Sequence, residues 1–149
     1  MLKFSKKVEY GIIAMQYMAE EPEKISTAKE IADKLNIPYE YLSKLLQTMI
    51  KSGLVESIQG TKGGYKLLLP ATEITIEAIM SALGEKPSLV DCIAVHGQDD
   101  NTQCCRSAEC GIKSPMVKLQ EQMNDIFRNT TLAELCNNDK KKIMIEDLL

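Results

Sequence analysis

Apolar residues recur at helical spacing in the first part of the chain. Over residues 5–20 they lie three or four positions apart, at Val8, Ile12, Met15 and Ala19. This spacing predicts a first helix that ends before Pro22. Ser26 and Thr27 offer a helix cap, with Glu30 three residues after Thr27, so we expect a second helix from there to about Asn36.

A third helix is predicted directly after Pro38, a residue that suits the first turn of a helix. Its apolar stripe, which would face a core, consists of Leu42, Leu45, Leu46, Met49 and Ile50. Its other face carries hydrogen-bonding side chains with nothing to bury them, namely Tyr39, Glu40, Ser43, Lys44, Gln47 and Lys51. Two short helices with a tight connection, the second with a polar outer face, are typical of a helix-turn-helix.

Two strand-like runs follow in the segment LVESIQGTKGGYKLLL, on either side of a glycine-rich loop. Glycine can adopt positive φ angles and lets the backbone approach a phosphate closely, so we expect this hairpin to form a wing. Residues 75–83 then predict a fourth helix at apolar spacing. The predicted fold is therefore mainly α with a small β-hairpin, and residues 1–84 form a winged helix-turn-helix domain.

The second half of the chain contains a long polar segment followed by a helix. Residues 85–113 contain most of the cysteines and are longer than an ordinary loop, which favours a functional segment. Beyond Pro115 a narrow apolar seam is formed by Met116, Leu119, Met123 and Ile126. Such a seam is typical of a helix that pairs with its own copy across a two-fold axis. Residues 114–138 are assigned to this dimerisation helix and a short terminal helix, and residues 139–149 to a tail.

Composition and charge narrow the class of protein. At 149 residues the chain is long enough for one compact core with an appendage. It contains no run of about 18 apolar residues and no signal-peptide cleavage site, so we expect a cytoplasmic protein without a membrane partner. A net charge of −3 argues mildly against non-specific binding to nucleic acid, but many of the lysines lie in the first half, where a DNA reader needs them.

If the winged helix binds DNA, its third helix is expected to enter the major groove. The side chains placed to meet base edges or phosphates are Tyr39, Glu40, Ser43, Lys44 and Gln47. At the wing, the candidates are Gln59, Gly60, Thr61 and Lys62, and Thr27 is a further candidate at the start of the second helix. The expected partner is a double-stranded, pseudo-palindromic operator bound by a homodimer. The alternative is a winged helix that contacts only protein.

Four of the five cysteines lie in the stretch CIAVHGQDDNTQCCRSAEC, which begins at Cys92. In a reducing compartment, clustered cysteines are ligands or redox sensors more often than crosslinks. Adjacent cysteines rarely bind one metal together, so we expect three ligands, namely Cys92, Cys110 and either Cys104 or Cys105. A zinc site would usually show Cys-x-x-Cys pairs, which this stretch lacks, whereas an iron–sulfur cluster tolerates irregular spacing.

Several stretches of the chain resemble the Rrf2 family of bacterial winged-helix regulators, which includes IscR-, NsrR-, RirA- and CymR-like members. These stretches are LKFSKKVEYGIIAMQYMA, IPYEYLSKLLQTMIKSGLVESIQGTKGGYKL, TIEAIM and FRNTTLAEL. The resemblance spans residues 1 to about 138. It implies a homodimeric transcription factor whose cysteine segment holds an iron–sulfur cluster, with a 2Fe–2S cluster favoured and a 4Fe–4S cluster as the alternative. Family members with a cluster often carry arginine where this chain has Gln59.

The fourth cluster ligand has two candidates. His96, the only histidine, lies in the cysteine stretch. In IscR-like members a histidine follows the third cysteine, but Lys113 occupies that place here. In NsrR-like members an acidic residue before the tyrosine of the first helix reaches across the dimer, and Glu9 before Tyr10 matches it. The resemblance therefore favours Glu9 of the partner subunit, while the plainer interpretation of Glu9 is a solvated residue near Lys6.

Three functions remain open from the sequence. The first is a dimeric DNA-binding regulator that senses iron–sulfur cluster, redox or nitric oxide status. The second is a cluster-free regulator of the CymR type, which responds to cysteine metabolism or to direct oxidation of its thiols. The third, a thiol enzyme, is disfavoured because the chain has no Cys-x-x-Cys in a βαβ context and no histidine placed to activate a thiolate. The fifth cysteine, Cys136, is expected to be a small buried apolar residue.

Overall fold

The computed structural model describes residues 3–86, 88–90 and 110–138. The elements in chain order are α1 (Lys6–Glu20), α2 (Ala28–Leu35), α3 (Tyr39–Lys51), β1 (Val55–Ile58), β2 (Gly64–Leu67), α4 (Ile76–Ala82), α5 (Lys113–Asn129) and α6 (Leu132–Asn138). The predicted fold class, mainly α with one β-hairpin, is confirmed. Within the described ranges, no helix is long and apolar enough to cross a membrane.

Hydroxyl side chains fix the starts of four helices, including α6, where the Thr131 Oγ1 accepts the N–H of Glu134 over 3.3 Å. The Ser5 Oγ accepts the N–H of Val8 over 3.3 Å at the start of α1, and the Thr27 Oγ1 accepts the N–H of Glu30 over 3.1 Å at the start of α2. Thr75 does the same at the start of α4. Each bond satisfies an amide that has no partner inside its helix. The predicted cap at Thr27 is confirmed, and α2 ends at Asn36, whose φ of 52° lies in the left-handed region.

One hydrophobic core is shared by α1 to α4 and by the C-terminal helix α6. The stripe predicted on α3 faces this core, since Leu42, Leu45, Leu46 and Met49 are buried and Ile50 packs beside them. The other large, fully buried side chains include Met15, Met18, Ile31, Ile74, Ile79, Leu83 and Leu132. Leu132 is the first residue of α6, so the C-terminal helix belongs to the same core as the helix-turn-helix.

The wing hairpin carries a third, one-residue strand. β1 and β2 are antiparallel, with Val55 opposite Leu67 and Ile58 opposite Gly64. Ser26, in the segment between α1 and α2, pairs with Tyr65 of β2 as an isolated antiparallel bridge. Because both strands have only four residues, this additional pairing supports a hairpin that would be marginally stable alone.

The C-terminal end of α5 is fixed to the segment around α4. The Thr130 carbonyl accepts the N–H of Ile76 over 3.0 Å, and the N–H of Leu132 donates to the Ile74 carbonyl over 2.8 Å. The guanidinium of Arg128 lies 3.1 Å from the Glu77 carboxylate. At the other end of α5, Lys113, Ser114 and Pro115 are all exposed.

Candidate nucleic-acid interface

The outer face of α3 is an exposed polar surface, as predicted. Tyr39 is 53% exposed, and Glu40, Lys44 and Gln47 are exposed as well. Glu40, Lys44 and Gln47 are spaced four and three positions apart on the side of α3 opposite the buried stripe, so they share one face, and Tyr39 lies next to Glu40 at the start of the helix. The face contains one anion, one cation, an amide and a phenol, which together can donate to and accept from base edges.

Ser43 departs from this pattern. The sequence placed its hydroxyl on the open face, but Ser43 is only partly exposed, and its Oγ is buried without a hydrogen-bond partner. The prediction of an open Ser43 hydroxyl is therefore wrong. The serine side chain is short, so its hydroxyl stays close to the helix backbone instead of extending into solvent.

The tip of the wing is exposed as well. Gln59, Gly60, Thr61 and Lys62 are all exposed. Gly60 has a φ of 123°, a conformation that favours glycine, and its carbonyl accepts the N–H of Gly63 over 3.0 Å. Next along the hairpin, Lys66 forms an ion pair with Glu56 over 3.1 Å. The charge of Lys66 is therefore partly neutralised, while Lys62 extends from the tip itself.

Thr27 lies at the exposed start of α2. Its oxygen already accepts the N–H of Glu30, but a hydroxyl has one donor as well as two acceptor sites. The O–H of Thr27 can therefore donate to a phosphate while the same oxygen continues to cap the helix.

The outward face of α5 carries the predicted seam. Leu119 is 47% exposed and Ile126 is 62% exposed, whereas Met116 and Met123 are partly buried. The neighbouring face packs inward, because Phe127 contacts the core and its ring centroid lies 5.8 Å from that of Phe4. In the described chain α5 therefore has one face on its own core and an apolar face left open.

The predicted sensor residues fall mostly outside the described ranges. Cys92, Cys104, Cys105 and His96 lie there, and so does the tail. Cys110 is described and partly exposed, just before α5, where it lines an open surface groove with side chains that include Lys113 and Lys118. No three metal-ligating side chains come together among the described residues. Cys136 is partly buried and packs against the core, as expected.

Glu9 forms an ion pair within its own chain. The Lys6 Nζ lies 2.8 Å from one carboxylate oxygen and 3.0 Å from the other, and this hydrogen bonding raises the pKa of Lys6 above its usual value. The Glu9 side chain remains 43% exposed. Lys6 also lies 5.6 Å above the Tyr10 ring, whose edge contacts Tyr41 of α3. The structure of the single chain matches the plainer interpretation of Glu9 while leaving its carboxylate accessible.

Sequence reasoning missed two side chains that hold the start of the cysteine segment. Lys7 donates from its Nζ to the Leu83 carbonyl at the end of α4. Gln120 is buried in α5 and accepts the N–H of Leu89 over 2.9 Å, beside a cavity of about 760 Å³ between α4 and α5. A lysine gives no sequence signal for such a contact, but a glutamine between inward-facing Val117 and Phe127 could have been noticed.

An exposed polar helix next to an exposed hairpin tip, both carried on one core, defines a winged helix-turn-helix DNA-binding protein. Comparison with known proteins agrees with this class. A family model described as Rrf2, iron-dependent transcriptional regulator, matches residues 4–138. The chain therefore belongs to the Rrf2 family. It is a DNA-binding transcriptional regulator and not an enzyme.

Similar proteins carry several regulator names. The transcriptional regulator IscR of Serratia proteamaculans is 30% identical over 138 residues, which cover 92% of this chain and 80% of that protein. The regulator NsrR of Halalkalibacterium halodurans is 27% identical over 139 residues, covering 93% and 92%. The solved structure of CymR, the global cysteine regulator of B. subtilis, superposes with a TM-score of 0.71 at 28% identity, covering 93% and 98%.

Proposed function

We propose that this regulator is a cytoplasmic homodimer that binds a pseudo-palindromic operator and changes its affinity with the state of an iron–sulfur cluster. The observation that carries the proposal is the position of Cys110, which only two residues separate from the start of α5. The open apolar face of α5 is the candidate dimer contact. An event at the cysteines is thereby covalently connected to the helix that would set the spacing of the two reading helices. The protein is proposed to be cytoplasmic because the operator that it would bind lies in that compartment.

The proposed DNA contacts are those that the structure leaves accessible. On α3 they are Tyr39, Glu40, Lys44 and Gln47, in the major groove. At the wing they are Gln59, Gly60 and Lys62, and at α2 the hydroxyl of Thr27. A single module of this size binds weakly, so a dimer formed through Met116, Leu119, Met123 and Ile126 would present two modules to two half-sites.

Lys44 and Gln47 test the position of the reading helix. Duplexes selected by the protein from a random-sequence pool serve as the DNA. Lys44→Ala should weaken binding to all selected sequences and lower the salt slope by about one, because a phosphate contact is lost. Gln47→Ala should relax selectivity at one base position, at a cost of about 1–3 kcal/mol for the preferred base. Lys34→Ala, exposed at the far end of α2, is the control. Equal, sequence-independent losses for both α3 variants would contradict the assignment.

The cysteine donors fit an iron–sulfur cluster. Thiolates are the ligands that such clusters use, and Cys110 has open volume beside its thiol. The proposed ligands are Cys92, Cys110, one of Cys104 and Cys105, and Glu9 of the partner subunit. A bound cluster would supply a redox-active group that oxygen or nitric oxide can modify. The protein residues hold it, and Glu9 must leave its ion pair with Lys6 to take part.

Anaerobic purification tests the cluster. The protein should be brown and contain iron and sulfide, and its visible spectrum should distinguish a 2Fe–2S from a 4Fe–4S cluster. Cys92→Ala and Cys110→Ala should abolish the colour, whereas Cys136→Ala should not. Of Cys104→Ala and Cys105→Ala, only one should have a large effect. Glu9→Ala should retain iron but shift the spectrum or speed cluster loss. Colourless, metal-free protein would exclude a cluster.

A cluster-free regulator of the CymR type is the second candidate. It is favoured by the superposition on a structure described as a global cysteine regulator, which is matched over 98% of its length. In that case cysteine substitutions would leave the metal content unchanged. Oxidation of the thiols, or a partner from cysteine metabolism, would then alter operator affinity. In either case the signal acts only through a difference in affinity for two states of the regulator.

A further inference from the structure

The segment between α1 and α2, residues 21–27, is here called the connector. Its buried residue Ser26 donates its N–H to the Tyr65 carbonyl over 3.0 Å and accepts the Tyr65 N–H over 2.8 Å. Because the N–H and carbonyl of one strand residue point to the same side, these bonds lie on the edge of β2 that faces away from β1. The connector is therefore the third strand of the wing sheet.

The connector and β2 are in direct backbone contact. A Cβ atom at Gly64 would lie only 2.6 Å from the Ser26 carbonyl oxygen, so a glycine is needed at this point. Two hydrogen bonds and this close approach hold the connector against β2. A change in the position of the connector is therefore expected to change the position of β2 and of the hairpin tip that it carries.

Three polar side chains hold the connector in place, and we call them the Glu30 triad. The Tyr17 hydroxyl donates to the Glu30 Oε1 over 3.1 Å, and the Lys24 Nζ lies 2.8 Å from the same oxygen. The Lys24 Nζ also lies 5.8 Å from the centroid of the Tyr17 ring. One carboxylate oxygen of Glu30 in α2 thus binds Tyr17 of α1 and Lys24 of the connector. Lys24 lies two residues before Ser26.

We propose that the Glu30 triad is a positioning group for the wing. It fixes the connector, the connector fixes β2, and β2 sets the position from which Lys62 reaches DNA, while Tyr17, Lys24 and Glu30 themselves do not contact DNA. The inference rests on the proposed contact between the wing and DNA.

The sign of the effect separates positioning from simple charge. Glu30 carries a negative charge, so neutralising it should strengthen DNA binding if electrostatics alone mattered. If the triad positions the wing, Glu30→Gln should instead weaken binding, because the ion pair with Lys24 is lost and the connector loosens. Glu23→Gln removes a charge from an exposed residue of the same connector and is the matched control.

A double-mutant cycle with Lys62→Ala tests the proposal. Affinities are measured by fluorescence anisotropy of the full chain with a labelled duplex selected from a random-sequence pool. We expect Lys62→Ala to weaken binding about 3–10-fold and Glu30→Gln about 3–5-fold, while Glu30→Gln in the Lys62→Ala background changes affinity less than about twofold. Glu23→Gln should leave affinity unchanged or raise it.

The outcomes are distinguishable. If Glu30→Gln costs the same factor with and without Lys62, the triad does not act through the wing and the inference alone is overturned. If Lys62→Ala has no effect, the proposed wing contact fails and the inference with it. Hydrogen exchange gives a readout independent of DNA, since the Tyr65 amide should exchange faster in Glu30→Gln than in Glu23→Gln, and unchanged protection would overturn the inference. Should Glu30→Gln not fold, Tyr17→Phe removes one bond only and should show a smaller loss that also vanishes without Lys62.

Discussion

Leu132 offers the sharpest test of how the C-terminal part is joined to the DNA-binding core. Its side chain is 0% exposed, and it is the first residue of α6. Leu132→Ala removes three buried carbon atoms, which at about 0.8 kcal/mol each gives about 2.4 kcal/mol of lost transfer free energy. The cavity that remains adds to this, so we expect a total of about 3–4 kcal/mol. For a chain of this size the unfolding midpoint should fall by about 6–16 °C.

The assay is thermal and denaturant unfolding of metal-free protein at two protein concentrations, so that any contribution of dimer dissociation is visible. Leu68→Ala is the matched control, because Leu68 is 50% exposed and removing the same atoms should cost about 1 kcal/mol or less. A single transition is expected, whose midpoint falls by about 6–16 °C for Leu132→Ala and by no more than about 2–4 °C for Leu68→Ala. A wild-type midpoint for Leu132→Ala would refute the shared core.

Three further results are expected. Gly63→Ala would place a Cβ 2.2 Å from the Ile58 carbonyl oxygen, so DNA affinity and the unfolding midpoint should both fall. Gly111→Ala, whose added atom has no described residue within 4 Å, should match wild type. Ile126→Lys should leave the chain folded but monomeric in sedimentation equilibrium. Gln122→Lys, on the same helix, should leave the dimer intact. If both variants were dimeric, the proposed seam would be contradicted. The hydrogen bond from Lys24 lowers the pKa of Glu30 below its usual 4.5, so its contribution to stability is complete above that pH and is lost as the pH falls through the lowered value. The stability difference between wild type and Glu30→Gln should therefore be constant from about pH 7 to 5 and vanish in stronger acid, and a difference that grew on acidification would contradict the ion pair.

The sequence was informative wherever the physical cause is local. A hydroxyl three residues before an amide caps a helix in any fold that contains that helix, so Thr27 could be identified directly. The stripe from Leu42 to Met49 faces the core because helical periodicity alone divides α3 into an apolar and a polar side. The same periodicity predicted a seam on α5 that pairs with a second copy of the chain, and in the structure Leu119 and Ile126 of this seam are exposed.

The remaining contacts depend on residues far apart in the chain. Lys7 and Leu83 are 76 positions apart, and nothing near either of them indicates that an ammonium will meet that carbonyl. The pairing of Ser26 with Tyr65 was equally hidden, because a one-residue strand has no periodicity. The prediction for the Ser43 hydroxyl was wrong for a different reason. Helical periodicity assigns a residue to a face of the helix but does not say how far its side chain extends.

Among the described residues, the bonds that join α5 to the segment around α4 lie at the C-terminal end of the helix, while Gln120 in its middle bonds to Leu89. This arrangement has a mechanical consequence. The helix has 17 residues, so it is an arm about 25 Å long whose pivot is near Thr130. A tilt of about 10° at the pivot would displace the other end, at Lys113, by about 4 Å on that length. Cys110 lies just beyond this end, at the largest distance from the pivot. A force applied there therefore has the greatest leverage on the helix.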